Sequence, residues 1–119
     1  MTRDLFLVSK GVYTTELPGA NGIVLPDRFA LAQNQPNPFG TSTRIRFELP
    51  IKSRVKLEVF DLQGRRVKVL ADRDFEAGYQ SVAWDRRDRF GSAAAPGVYL
   101  CRMTAGTFQD QKKMTLLPR

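Results

Sequence analysis

From residue 44 onward the chain alternates apolar and polar positions. Ile45, Phe47 and Leu49 fall on one side of an extended backbone and Arg44, Arg46 and Glu48 on the other, the period of two that a half-buried strand requires. Val55, Leu57 and Val59 repeat the pattern against Lys56 and Glu58. Beyond a glycine-containing turn at Gly64, Val67 and Val69 alternate with Arg66 and Lys68, which predicts a hairpin. A second turn at Gly78 leads into a strand carrying Val82 and Trp84 on one face. In the next, Tyr99, Cys101 and Met103 share one face and Val98 and Leu100 the other, so both of its faces are expected to be partly covered. Gly106 separates it from a last strand in which Met114 and Leu116 are aligned. Helical spacing is everywhere interrupted by Gly, Pro or strong strand formers. Six to seven short strands with turn signals at intervals of roughly ten residues predict an all-β fold, an immunoglobulin-like antiparallel β-sandwich.

The first 28 residues behave differently. They mix short apolar runs with "ELPGANGIVLPD", a Pro- and Gly-rich stretch without a sustained period, and are expected to form a linker or an extended N-terminal arm, with the domain proper at 29–119. The sandwich is introduced by "QNQPNPFG", Gln33 to Gly40. Each proline fixes φ, removes a donor and biases the residue before it toward an extended conformation. Asn34 and Asn37 are expected to bond their own downstream backbone. Phe39 is then held in place, where it is expected to plug one end of the sandwich.

At 119 residues the chain has room for one ordinary core. It has a single cysteine, Cys101, and no histidine, which excludes an internal disulfide, His-based catalysis and His-containing zinc sites. The apolar run Leu5 to Val8 is too short for a signal-peptide core or a membrane span, so any export signal is expected to lie outside this chain. The net charge of +7, from 19 Lys and Arg against 12 Asp and Glu, raises nucleic acid as a partner. Its distribution argues otherwise. In "WDRRDRFG", Asp85 and Asp88 interleave with Arg86, Arg87 and Arg89, as on a solvated surface, and RNA-binding or zinc-finger spacings are missing. An anionic envelope surface, lipopolysaccharide or acidic lipid heads, suits the same charge without groove reading.

Candidate chemistry is sparse, and no catalytic, cofactor or metal residue is assigned. Asp61, Asp85 and Asp88 are carboxylates in turns, a type that suits Ca²⁺, but they lack a ligand run and are expected to bond turn amides and nearby arginines. A glycosidase pair has no other feature to support it. Cys101 has no base to activate it and reads as a small core residue. Trp84, Tyr79 and Tyr99 raise a sugar-stacking platform, although Trp84 is in phase with the core face. Lys112 and Lys113 read either as guards of an edge strand or as a basic recognition patch.

Four blocks, "FALAQNQPNPFGTSTRIRFELP", "VKLEVFDLQGRRVKVL", "GYQSVAWDRRDRFGSAAAPGVYLCRM" and "KKMTLLPR", resemble the successive motifs of the type IX secretion C-terminal sorting domain and of the related immunoglobulin-like module of flagellar hook-capping proteins. The resemblance runs in order from Phe29 to the end. Pro36, Asn37, Pro38 and Phe39 match its opening motif, and Asp61, Gly64 and Arg65 its central hairpin. Trp84, Asp85 and Asp88 match its strand-to-loop motif, Gly97, Val98 and Tyr99 its penultimate strand, and Lys112, Lys113 and Met114 its basic last strand. The resemblance implies a non-enzymatic module that directs a cargo protein across the outer membrane to the cell surface. Its implied partners are the secretion machinery or an envelope assembly. Partner recognition is expected at Lys112, Lys113, Met114 and Leu116, through backbone pairing along the edge strand near Lys112 to Leu117 or through charge complementarity. In that family cargo precedes the domain, whereas only 28 residues do here. Either the chain is cut from a longer protein or it is a free-standing subunit; a subunit bracing an envelope complex on its periplasmic side is the alternative reading, and a carbohydrate-binding module a third.

Overall fold

The computed structural model describes residues 6–9, 12–14 and 24–118. Two short strands, β1 (Phe6–Ser9) and β2 (Val12–Thr14), pair antiparallel within the region expected to be a linker or arm. The rest of that region, 1–5, 10–11 and 15–23, lies outside the described residues.

A two-residue strand that the alternation does not mark, β3 (Ala30–Leu31), comes first in the sandwich, and the six predicted strands form where the alternation places them: β4 (Thr43–Leu49), β5 (Ser53–Asp61), β6 (Arg66–Phe75), β7 (Gly78–Trp84), β8 (Gly97–Ala105) and β9 (Phe108–Leu116). They make two antiparallel sheets, of order β3-β4-β7 and β6-β5-β8-β9. The chain is the all-β, immunoglobulin-like sandwich that its alternation predicts, with seven strands.

The period of two decides what lies between the sheets. Ile45, Phe47 and Leu49 from β4 meet Val55, Leu57 and Val59 from β5, with Cys101 and Met103 from β8 and Met114 and Leu116 from β9, all buried. Each such large aliphatic or aromatic side chain contributes about 1.5–3 kcal/mol when removed from water. Phe47 and Phe75 meet edge to face with centroids 5.1 Å apart, a favoured aromatic geometry.

Two details depart from the alternation. The β5–β6 pairing slips between Leu57 and Glu58 and again between Val59 and Phe60. Lys68 therefore stands opposite the inward-facing Val59, and Val69 opposite Glu58. Glu58, expected on a solvated face, is only 7% exposed. Its carboxylate accepts from Arg66 Nη1 at 3.0 Å and lies 3.6 Å from Lys56 Nζ, partners that compensate its burial.

The hairpin turn is built as predicted. Gly64 has φ 84° and donates to the Asp61 carbonyl at 3.0 Å, while the Asp61 amide donates to Arg65 O at 2.9 Å. A Cβ at that φ would be strained.

Candidate recognition surface

The edge of β9 near Lys112 to Leu117 was the expected docking strand, and the lead-in bonds along its C-terminal end from within the chain. The lead-in first runs beside β4, with the Gln35 amide donating to Arg44 O at 3.0 Å and the Arg44 amide to Gln35 O at 2.8 Å. It then crosses to the other sheet. The Phe39 amide donates to Thr115 O at 3.0 Å, the Leu117 amide to Phe39 O at 2.8 Å, and the Gln33 side-chain amide to Lys113 O. Asn37, expected to bond locally, instead accepts from the Thr115 amide at 2.9 Å. The Lys113 carbonyl, the Thr115 amide and carbonyl and the Leu117 amide are thereby occupied, so a partner strand pairing there would have to displace the lead-in.

Two of the four expected recognition residues face the wrong way. Met114 and Leu116 are fully buried in the core, because the phase that aligns them also points them between the sheets. Lys112 shares their side of the strand and lies 3.8 Å from Asp110. Lys113, exposed, points to the opposite side. Alternation by two separates adjacent lysines onto opposite faces, so they do not form one patch.

The lead-in is itself pinned. Buried Asn34 donates to Pro36 O at 3.1 Å, fulfilling its expected local bond, and to Thr43 Oγ1 at 3.0 Å. Thr43 Oγ1 in turn donates to Pro36 O at 2.8 Å. The Gln35–Pro36 and Asn37–Pro38 bonds are both cis. Phe39 closes the end of the sandwich as anticipated, 1% exposed and 5.7 Å from the Trp84 ring.

Trp84 opens the segment that sequence reasoning read least well. Its ring is buried, meets Tyr99 edge to face at 5.6 Å and donates through Nε1 to Arg87 O at 2.9 Å. Arg86, expected on a solvated surface, is 3% exposed and holds φ 62°. Its guanidinium donates to three carbonyls: Gly40 at 2.7 Å and Leu117 at 3.4 Å through Nη1, and Ala94 at 3.2 Å through Nη2. Its Nε is buried without a partner. One cation thus ties the lead-in, the outgoing tail and the loop before β8. The signal for it was its phase, two residues beyond Trp84 and four beyond Val82.

The candidate metal ligands are occupied by the turns themselves. Asp61 Oδ1 accepts from the Gln63 and Arg65 amides, both at 2.9 Å, and Oδ2 from Arg65 Nε at 2.9 Å. The Arg65 amide, then its guanidinium, holds the Asp61 carboxyl below its usual range. Asp88 Oδ1 accepts from the Phe90 amide at 2.8 Å and the Ser92 amide at 3.0 Å. Asp85 accepts from the Arg87 amide at 3.1 Å. Among the described residues no three His, Cys, Asp or Glu side chains gather as a metal site.

The three rings raised for sugar stacking do not share a surface. Trp84 and Tyr99 are core, and Tyr99 donates through its hydroxyl to Ala95 O. Tyr79 alone is exposed, at 62%. Burial pushes the Tyr99 hydroxyl up.

Cys101 is buried, and desolvation pushes its thiol up to about 12. The thiol is expected to resist iodoacetamide in the native protein and to react once the chain is unfolded. An unfolded cysteine releases its proton near about 8.5, so the folded form binds the extra proton between that value and about 12. Stability should therefore fall as pH rises through that window, by about 2 kcal/mol at about pH 10. Denaturation midpoints equal at about pH 8 and pH 10 would contradict this.

One cleft, of about 820 Å³, lies between the Asp61–Arg66 turn and the Asp88–Ala95 loop. Phe60, Val67, Ala94 and Tyr99 line it beside Arg65, Arg66 and Arg89. Nothing in the sequence points to it, because its walls come from segments more than twenty residues apart. The Arg89 amide joins them by donating to Val67 O at 3.0 Å.

These features define an immunoglobulin-like module with a pinned lead-in and a cleft lined by both arginines and aspartates. A model of the FlgD Ig-like domain family matches residues 33–109, and the chain belongs to that family. Among solved structures, it is similar to the dimeric latent PorU of Porphyromonas gingivalis at 21% identity and TM-score 0.63, over 77% of this chain and 10% of that one. It is also similar to PorZ, described as an essential bacterial surface component of the type-IX secretion system of Porphyromonas gingivalis, at 17% identity and TM-score 0.52, over 77% and 12%. FlgD from P. aeruginosa matches at 24% identity and TM-score 0.51, over 62% and 57%. At these identities the likeness is one of fold, and the chain spans about a tenth of the length of the first two. Comparison with curated proteins finds no match. No helix among the described residues is long and apolar enough to cross a membrane.

Proposed function

We propose that the sandwich is a non-catalytic recognition module that acts as a C-terminal signal for type IX secretion and surface attachment of a cargo protein, working in the periplasm, at the outer membrane and on the cell surface. One observation carries the reading. A sandwich of similar fold makes up about a tenth of two much larger Porphyromonas gingivalis proteins, one described as a surface component of that secretion system, as expected of a portable module fused to different partners. The lead-in occupies the β9 edge around Thr115 and Leu117, which favours recognition there by exposed side chains rather than by an added strand. Lys112 and Lys113 then contribute charge from opposite faces of β9, and contact with anionic lipopolysaccharide draws on the same surplus of cations.

Residues 29–119 appended to a periplasmically exported reporter should carry it to the surface of a type IX-competent host. Reporter held in the periplasm would contradict the reading and favour the bracing subunit. The arm offers a second discrimination. A sorting module should recognise its partner without residues 1–27, whereas a brace would lose affinity on their removal.

A further inference from the structure

We infer that the outer face of the β6-β5-β8-β9 sheet, around Phe60, Leu100, Arg66, Arg102 and Lys113, is a docking surface for an acidic segment of a partner protein, which sets an apolar side chain on Phe60 and Leu100 and carboxylates against the cations beside them. The inference deepens the recognition reading and rests on it only in taking the partner to be a protein.

The register of the sheet assembles this face from four strands. Because Val55, Leu57 and Val59 point into the core, Lys56, Glu58 and Phe60 point out of it. Arg66 stands beside Phe60 on β6, Leu100 beside it on β8 and Lys113 beside Leu100 on β9, while Arg102 stands opposite Glu58. One row across the strands therefore reads Arg66, Phe60, Leu100, Lys113. It is an apolar pair with a cation on either side, the two cations being about 14 Å apart by three strand spacings.

The charge here does not cancel. Glu58 is the one described carboxylate among Lys56, Arg66, Arg102 and Lys113, and it already takes Arg66 at 3.0 Å and Lys56 at 3.6 Å. Arg102 and Lys113 pair with none of the described carboxylates. The other two carboxylates of the face, Asp72 and Asp74, lie at its far end, where Arg54 is 3.2 Å from Asp72 and stands opposite Asp74 in the register. Four cations around one carboxylate leave a local surplus of positive charge that selects an anionic partner.

These cations are placed before a partner arrives. Glu58, 7% exposed, anchors Lys56 and Arg66 from beneath. The Arg102 guanidinium lies over the Phe60 ring, 4.5 Å from its centroid, a placement that leaves its planar fork of donors for a carboxylate. Preorganisation of this kind removes an ordering cost from binding. Phe60 and Leu100 are half-buried between the cations, the apolar centre and arginine surround that protein interfaces favour. A protruding side chain of a protein reaches them, whereas no large apolar side chain of this patch stands out to enter a bilayer.

The test is selection of displayed random dodecapeptides on the whole chain, each enriched peptide then being titrated against two double variants that lower the net charge equally. One is Arg102→Gln, Lys113→Gln in the patch; the other is Arg44→Gln, Arg46→Gln on the exposed outer face of the second sheet. Unchanged circular dichroism verifies that each folds, and Lys113→Glu, at an exposed position, gives the same reading without disturbing the Phe60 ring. Enriched peptides should carry at least two Asp or Glu around one Phe, Tyr or Leu. They should bind the patch variants roughly tenfold more weakly, bind the Arg44, Arg46 variant as they bind the unsubstituted chain, and shift the amide resonances of Phe60, Leu100 and Gln111. No enrichment, enrichment of neutral or basic peptides, equal loss in both double variants, or shifts confined to other surfaces would each overturn the inference. So would phosphatidylglycerol vesicles that bind through Arg102 and Lys113 and that acidic peptides fail to displace, which would assign the face to a lipid surface. Selection reads binding and the export reporter reads delivery, so either reading is able to fail alone.

Discussion

Replacing Phe39 with Ala should lower the stability of the sandwich by about 3–4 kcal/mol. The ring is 1% exposed and packs on Trp84, so truncation removes its transfer free energy and leaves a hole that the pinned lead-in hinders from collapsing. For a domain of this size such a loss is a large share of the total. The comparison variant is Phe90→Ala, whose ring is already in water and whose loss should change stability by less than about 0.5 kcal/mol. Urea midpoints of the two variants measure the difference. A Phe39→Ala midpoint equal to that of the unsubstituted chain would show that the lead-in does not contribute to the core.

Arg86→Met should cost a similar amount, about 3 kcal/mol. Three carbonyls lose a charged donor, each such bond being worth about 1.5–3 kcal/mol. Relief of a buried cation and of its unpaired Nε offsets part of the loss. Arg86→Lys should rescue little, since one ammonium does not reproduce a fork that reaches Gly40, Leu117 and Ala94 together. The damage should be local as well as global, with amide exchange rising first at Leu117 and Phe39. A midpoint unchanged in Arg86→Met would mean that the three segments hold together without their shared donor.

The strands were legible because each has one face in the core, and a period of two survives in residues such as Ile45, Phe47 and Leu49 without any knowledge of their partners. What did not survive were relations between distant segments. The docking of Asn37 and Phe39 on Thr115 spans more than seventy residues and leaves no local period. The slip at Glu58 depends on how β5 and β6 register, which alternation alone does not specify. Arg86 was obscured by its neighbours, since a run of mixed charge suggests solvent even when one member is in phase with Trp84. For Met114 and Leu116 the phase was read correctly and then set against a recognition role that requires exposure.

The functional reading needs a module that meets its partner already rigid, with the lead-in fastened over β9. Native-state hydrogen exchange at Phe39, Thr115 and Leu117 tests that most directly. Their amides, bonded across β9 and the lead-in, should exchange only through the same opening that exposes the core of β4 and β8, with the same free energy and denaturant dependence. Exchange of these three amides through a small, denaturant-independent opening, while β4 and β8 stay protected, would mean that the lead-in detaches on its own and leaves the edge of β9 free for a partner.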